Sequence, residues 1–100
     1  MRIIIYSTIL DKLKNKHGVS ASEVEQVFLN RTGVLAKEMR AKNQGAEDRF
    51  WFISPTDKGR ELKVVFFIDI DENVPVIITA YEPNNDEVKL YEKIERQKKR

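Results

Sequence analysis

Two arginines open predicted strands of this 100-residue chain, and their side chains are suited to binding phosphate. Arg49 precedes an aromatic run, and Arg60 directly follows Gly59 in a predicted turn. A guanidinium group is a planar fork of donors that matches phosphate oxygens. Cleavage of RNA without a metal ion needs such cations around the phosphate, together with groups that transfer protons. Arg49 and Arg60 are therefore candidate catalytic residues. The structural alternative is a solvated arginine whose stem covers apolar surface.

His17 and Tyr81 are the candidates for proton transfer. His17 is the single histidine, and its side chain titrates closest to neutrality. It also falls in the last turn of a predicted helix, where an imidazolium would instead complement the helix dipole. Tyr81 ends a predicted strand, from which its phenol could act as an acid or stack on a base. Tyr91 lies on an apolar helical stripe, so core packing is the prediction for it.

Further basic side chains are expected to bind the RNA backbone. Lys63 alternates with Leu62 and Val64, which places it on the other face of the predicted strand. The predicted RNA-binding residues are Lys63, Lys16, Arg40 and Lys42.

The composition excludes several kinds of chemistry. The chain contains no cysteine, so disulfides, thiolate catalysis and cysteine-ligated metals are ruled out. With one histidine, a zinc site would need carboxylates or a second chain, so we expect neither a metal nor a cofactor. No apolar run approaches the length of a membrane span, and the opening run is too short for a signal peptide. We therefore expect a cytoplasmic protein without membrane contacts.

The charge distribution carries more information than the net charge of +2, which arises from 18 basic and 16 acidic residues. Residues 93–100 hold five basic side chains and one glutamate. We interpret residues 97–100 as a basic tail, either the end of a helix complementing its dipole or an RNA-binding arm. Residues 1–96 form one predicted domain, long enough to bury a single core.

Three helices are predicted from capping signals. The first follows Ser7, a predicted N-cap, and ends at Gly18 as a left-handed cap. The second begins with a capping box between Ser20 and Glu23 and forms a helical hairpin with the first. The third follows Asn84 or Asn85 near the C-terminus.

The strands are read from apolar runs between turn residues. Apolar and β-branched composition predicts strands over residues 2–6, 49–54, 60–69 and 74–81, with a shorter one within residues 34–39 and a polar loop over residues 40–48. This order predicts an α+β fold. An antiparallel sheet of about four strands packs against an N-terminal helical hairpin and a C-terminal helix, with the helices on one face.

Several motifs in this order resemble those of BrnT-like toxins. The sequence KHGVS at residues 16–20, followed by VF at residues 27–28, resembles the opening of that family. The segment GRELKVVF at residues 59–66 resembles the family's central strand, and ITA at residues 78–80 stands where the family has ISA. Arg49 and the LYE of residues 90–92 also match, so the resemblance covers residues 17–92.

The resemblance implies a RelE-like fold and a toxin of a bacterial toxin–antitoxin pair, acting as a metal-independent ribonuclease. It also implies a cognate antitoxin, encoded nearby, that binds and blocks the toxin. Tyr81 is a departure, because the family has an arginine there and a tyrosine cannot supply that positive charge. The alternative is therefore a non-catalytic protein-binding module on the same fold. Homo- and hetero-oligomers both remain open.

Overall fold

The computed structural model describes residues 1–38 and 48–98 of the chain. The predicted RNA-binding residues Arg40 and Lys42, and most of the predicted polar loop, lie outside these ranges. The elements, in chain order, are α1 (Ser7–Lys12), a π-helical segment (Leu13–His17), α2 (Ala21–Leu29), β1 (Ala36–Lys37), β2 (Arg49–Pro55), β3 (Glu61–Asp69), β4 (Val74–Tyr81) and α3 (Asn85–Lys98).

The strands form one antiparallel sheet in the order β1-β2-β3-β4, which confirms the predicted α+β class. Consecutive strands are neighbours because short turns connect β2 to β3 and β3 to β4. Gly59 provides the positive φ of 90° that the first turn requires, as predicted. The N–H of Gly59 donates to the carbonyl of Thr56, which closes that turn.

The predicted N-terminal strand is reduced to a single bridge. Ile4 pairs in parallel with Val76, and its backbone bonds to Pro75 and Ile77 lie on the outer edge of β4. The chain enters α1 at Ser7, which leaves no length for further pairing. The predicted N-cap is wrong by one residue, since Tyr6 occupies that position without a side-chain bond.

The capping interactions predicted for the helical hairpin are confirmed. Gly18 adopts a left-handed conformation with a φ of 62° and ends the π-helical segment. The Ser20 side chain accepts from the Glu23 N–H, and Glu23 accepts in return from the Ser20 N–H. The π-helical geometry over residues 13–17 was not predicted. Leu13, at its start, is fully buried in the core.

Helices cover both faces of the sheet, so the expectation of a single covered face is wrong. Adjacent residues of a strand point to opposite faces, and Trp51 and Phe52 therefore mark the two sides. On one side, Phe28 of α2 meets the ring of Phe52 edge to face, with centroids 4.9 Å apart. On the other side, Tyr91 of α3 lies 5.5 Å from Trp51. Both strand residues are buried, as their continuous apolar run predicts.

The C-terminal helix begins and ends close to the predicted positions. Asn84 precedes it, accepting from the Glu87 N–H while its own N–H donates to Glu87 Oε1. The helix continues to Lys98, so residues 97 and 98 belong to it and not to a separate tail. No helix within the described ranges has the length and apolarity needed to cross a membrane.

Tyr91 is predicted to stabilise the fold through its hydroxyl as well as its ring. The hydroxyl donates to the carbonyl of Val34 at 2.6 Å and so ties α3 to the segment before β1. In Tyr91→Phe the partly buried carbonyl loses its donor, and we expect the free energy of unfolding to fall by about 1–2 kcal/mol in urea denaturation. Tyr6→Phe is the matched control, because Tyr6 is exposed. Equal stability of the two variants would contradict this role.

Candidate functional site

A cavity of about 460 Å³ opens on the sheet face that also carries α3. We call it the cationic cleft, because four of its lining side chains are cations and one is a carboxylate. It is lined by Lys12, Lys16, His17, Glu38, Arg49, Lys63, Val65, Ile78, Thr79 and Tyr81.

The sheet supplies one wall of the cleft through its register. Lys63 pairs with Tyr81, and Val65 pairs with Thr79. Paired residues of an antiparallel ladder share a face, so these four side chains lie in two adjacent rows. The register then shifts: Phe66 pairs with Ile77, which leaves Ile78 as an extra residue in β4. This bulge lets the consecutive residues 78 and 79 both line the cleft.

The first helical segments supply the other wall. Lys12 and Lys16 are four residues apart, a spacing that places side chains on the same helical side. The π-helical segment, in which backbone bonds join residues five apart, adds His17 to that side. Lys16 was predicted from the sequence, whereas Lys12 was missed. Its spacing from Lys16 was the available signal.

Glu87 joins Lys63 to Tyr81 at one end of the cleft. Its Oε2 accepts from Lys63 Nζ at 2.8 Å and from the Tyr81 hydroxyl at 2.7 Å. Burial opposes ionisation of Glu87, but the hydrogen bonds from Lys63 and Tyr81 outweigh it and lower its pKa. Glu87 lies in the first turn of α3, where its charge also complements the helix dipole. Its contacts with β3 and β4 depend on tertiary structure.

The contact with Glu87 favours the protonated forms of both Lys63 and Tyr81. Burial lowers the pKa of Lys63, but the hydrogen bond to Glu87, the Glu87 charge and the contact with Tyr81 together outweigh burial, so the pKa is raised. Burial raises the pKa of Tyr81, and its bond to Glu87 raises it further. The Lys63 ammonium also lies 4.5 Å from the ring centre of Trp51, a cation–π contact. Trp51 is a core residue, as predicted.

His17 lies beside Tyr81, with their ring centres 5.5 Å apart. Burial lowers the pKa of His17 below its ordinary value of 6.5, and the charges of Lys16 and Lys12 lower it further. Both effects favour the uncharged imidazole near neutral pH. This argues against a helix-dipole role for an imidazolium, the structural alternative considered from the sequence.

Arg49 and Glu38 occupy the end of the cleft formed by β1 and β2. Arg49 Nη1 lies 3.7 Å from Glu38 Oε2, close enough for attraction but too long for a hydrogen bond. That oxygen is buried and has no hydrogen-bond partner within the described part of the chain. Arg49 was predicted as a site residue, whereas Glu38 was missed, because a lone glutamate beside a polar segment gives no sequence signal.

Arg60 does not line the cleft. It joins the end of the π-helical segment, the first turn of α2 and the residue after β4, which we together call the framework. Its Nε donates to Glu82 at 2.6 Å, and its Nη1 donates to Glu23 at 3.0 Å. The guanidinium also caps the π-helical segment through the carbonyls of His17, at 3.1 Å, and Gly18, at 2.9 Å. The hairpin register separates Arg60 from Arg49, since they lie at opposite ends of the β2–β3 pair.

The structure thus brings most of the predicted site residues together. Arg49, Lys63, Tyr81, His17 and Lys16 line one cavity, and Arg60 lies outside it. Within residues 1–38 and 48–98, no group of three or more histidine, aspartate or glutamate side chains is arranged to hold a metal ion.

Comparison with known proteins adds no assignment to this geometry. The chain matches no protein-family model, and no curated protein matches it. The resemblance to BrnT-like toxins therefore remains a prediction from the motifs of the sequence.

The single histidine provides a direct measurement of the electrostatics of the cleft. We expect its imidazole to titrate below 6.5 in proton NMR, because burial and two lysines disfavour the imidazolium. Lys16→Ala is expected to raise the titration midpoint, although burial will still hold it below 6.5. Lys58→Ala, in the exposed β2–β3 turn, is the control. An unchanged midpoint in Lys16→Ala would show that the cleft lysines do not act on His17.

Arg60 is expected to contribute stability through its contacts with the framework. Arg60→Gln removes the charge that Glu23 and Glu82 face and leaves two carbonyls without a donor. We expect a loss of about 2 kcal/mol in urea denaturation. Arg2→Gln should lose less than about 1 kcal/mol, because the pair of Arg2 with Glu72 is exposed. A similarly small loss for both variants would count against the framework role.

Proposed function

We propose that the cationic cleft binds the sugar–phosphate backbone of RNA and that the protein is a metal-independent ribonuclease toxin of the BrnT/RelE-like type. The observation that carries this proposal is the convergence of Arg49, Lys63, Lys12 and Lys16 on one cavity that also contains His17 and Tyr81. These residues come from two helical segments and three strands, so local sequence does not explain their meeting.

The cations suit a phosphodiester. Four cations meet two carboxylates, Glu38 and Glu87, so positive charge remains in excess and an anion in the cavity relieves the repulsion among the cations. The ion pair of Arg49 with Glu38 is too long to occupy the guanidinium fork, which leaves donors for phosphate oxygens. Lys63 is held by Glu87 and keeps its charge at the sheet wall, where it stabilises a phosphorane as charge develops.

Proton transfer has candidates at both ends of the cleft. Attack of the ribose 2′-oxygen on phosphorus forms a 2′,3′-cyclic phosphate and releases the 5′-oxygen of the next nucleotide. The Tyr81 hydroxyl donates to Glu87 in the structure, and it supplies the proton for the leaving oxygen when that oxygen replaces Glu87 as its acceptor. The cleft offers two acceptors for the proton of the 2′-hydroxyl, the neutral imidazole of His17 and the carboxylate of Glu38.

The absence of an arginine at position 81 is compatible with this proposal. The positive charge that the family arginine would supply is available from Lys63, which is paired with Tyr81 across the strands. Arg60 has no part in the proposed chemistry, because its donors are occupied by Glu23, Glu82 and two carbonyls. A cognate antitoxin encoded nearby would act as the inhibitor by covering the cleft.

The central prediction is cleavage of RNA in the presence of EDTA. We expect purified protein to cleave a fluorescently labelled RNA, to leave 2′,3′-cyclic phosphate ends and to arrest growth when expressed. Arg49→Ala should lower the cleavage rate at least about tenfold, because it removes a charge-assisted contact with phosphate. Arg2→Ala is the matched control, since Arg2 is an exposed arginine paired with Glu72. Circular dichroism verifies that both variants are folded.

One outcome would contradict the nuclease activity, and another would contradict its placement in the cationic cleft. Wild-type protein that neither cleaves RNA with EDTA present nor arrests growth rejects it. A stable complex with a partner protein in that case favours the non-catalytic binding module. Equal cleavage by Arg49→Ala and Arg2→Ala would place the chemistry outside the cleft.

A further inference from the structure

The Glu38 carboxylate is the least explained group in the cationic cleft. Its Oε2 atom is buried and accepts no hydrogen bond within the described ranges, although Arg49 Nη1 lies 3.7 Å away. A buried acceptor without a donor is uncommon, because it has lost its hydrogen bonds to water without gaining a partner in the protein. The geometry therefore indicates that a bound ligand supplies the missing donor.

The cleft places two demands on that ligand. It must be anionic, because Arg49, Lys16, Lys12 and Lys63 surround the cavity. It must also present a hydrogen-bond donor close to its anionic group, because Glu38 lies beside Arg49. Inorganic phosphate near neutral pH and the DNA backbone meet the first demand better than the second. A ribose 3′-phosphodiester meets both, since its 2′-hydroxyl is on the carbon next to the one bearing the phosphate.

We propose that Glu38 accepts a hydrogen bond from the ribose 2′-hydroxyl while Arg49 binds the adjacent phosphate, so that this pair selects ribose over deoxyribose. The proposal rests on the proposed function and deepens it by naming the group that recognises RNA as RNA. It makes Glu38 a residue that touches the substrate, next to the oxygen that becomes the nucleophile.

The position of Glu38 favours it over His17 for this contact. Arg49 pairs with Phe67 of β3. Tyr81 pairs with Lys63, which lies four positions earlier in the same strand. At about 3.3 Å per residue, these positions are separated by about 13 Å along the strand direction. His17 lies at the Tyr81 end. The acceptor of the 2′-hydroxyl and the donor to the leaving oxygen must lie on opposite sides of the phosphorus. Glu38 and Tyr81 lie at opposite ends of the cleft, whereas His17 and Tyr81 lie at the same end.

The test uses ligands that cannot be cleaved. Uridine 3′-monophosphate and 2′-deoxyuridine 3′-monophosphate differ only in the 2′-hydroxyl, and their dissociation constants can be measured by NMR titration with inorganic phosphate as reference. We expect the ribose form to bind wild-type protein about tenfold more tightly than the deoxy form, because its hydroxyl bonds to a charged acceptor. In Glu38→Ala the ratio should fall to near one.

The affinity for the deoxy ligand gives a second readout, because a loss of folding would weaken this binding and could not strengthen it. Removing Glu38 removes a negative charge from the cleft, so Glu38→Ala should bind the deoxy ligand more tightly than wild type does. Glu92→Ala, on α3 beside a different cavity, is the charge-matched control and should keep the wild-type ratio.

Three other results would overturn the inference about Glu38 or the proposed function on which it rests. A wild-type ratio near one, or a ratio unchanged in Glu38→Ala, shows that Glu38 does not contact the 2′-hydroxyl. Discrimination among the cytidine, guanosine and uridine forms that is independent of the sugar shows that the donor is a base amino group. Failure of all these ligands and of RNA to bind the cleft instead removes the proposed function itself.

Discussion

Arg60 makes the set of contacts on which the geometry of the candidate site depends. Its guanidinium joins the end of the π-helical segment, the first turn of α2 and the residue after β4, while its own backbone belongs to the turn before β3. Burial would lower the pKa of this group, but the hydrogen bond to Glu82 exceeds that effect, so the pKa is raised. The charge of Arg60 stays paired, and His17 is held against β4 as a result.

The cationic cleft adjoins this framework and brings positively charged side chains close together. Lys12, Lys16, Arg49 and Lys63 approach one cavity, where their charges repel one another. Glu87 neutralises only the Lys63 end, and its Oε2 is shared with Tyr81. Glu38 faces Arg49 at a distance that gives attraction without a hydrogen bond. Packing needs none of this concentration of charge, since the core is formed by apolar side chains such as Phe52 and Leu13. Perturbed pKa values, such as those of His17, Tyr81 and Glu87 here, occur at functional sites and also in structural ion-pair networks.

Local signals predicted the fold well where a short stretch of chain determines its own conformation. Gly18 and Gly59 adopt positive φ, and the Ser20–Glu23 capping box forms, because each depends on residues within four positions. The continuous apolar run of β2 likewise predicts that Trp51 and Phe52, which point to opposite faces, are both buried. Placing the helices on one face was wrong because the crossing of α3 to the face opposite α2 depends on contacts such as Tyr91 with Val34. No local pattern encodes such a contact.

The sequence identified only part of the candidate site, because the rest of the site depends on contacts that no local pattern encodes. Residue types alone identified Arg49, Lys63, His17 and Tyr81, since few side chains of this cysteine-free chain can bind phosphate or transfer a proton. Sequence by itself also determined the α+β class, because the apolar periods and turn residues that define it are local. Tertiary structure alone decided that Arg49 faces the cleft while Arg60 is enclosed by carboxylates, and that Glu38 and Glu87 join the site. The charge environment of a side chain depends on strand register and helix placement, which bring together residues far apart in the chain.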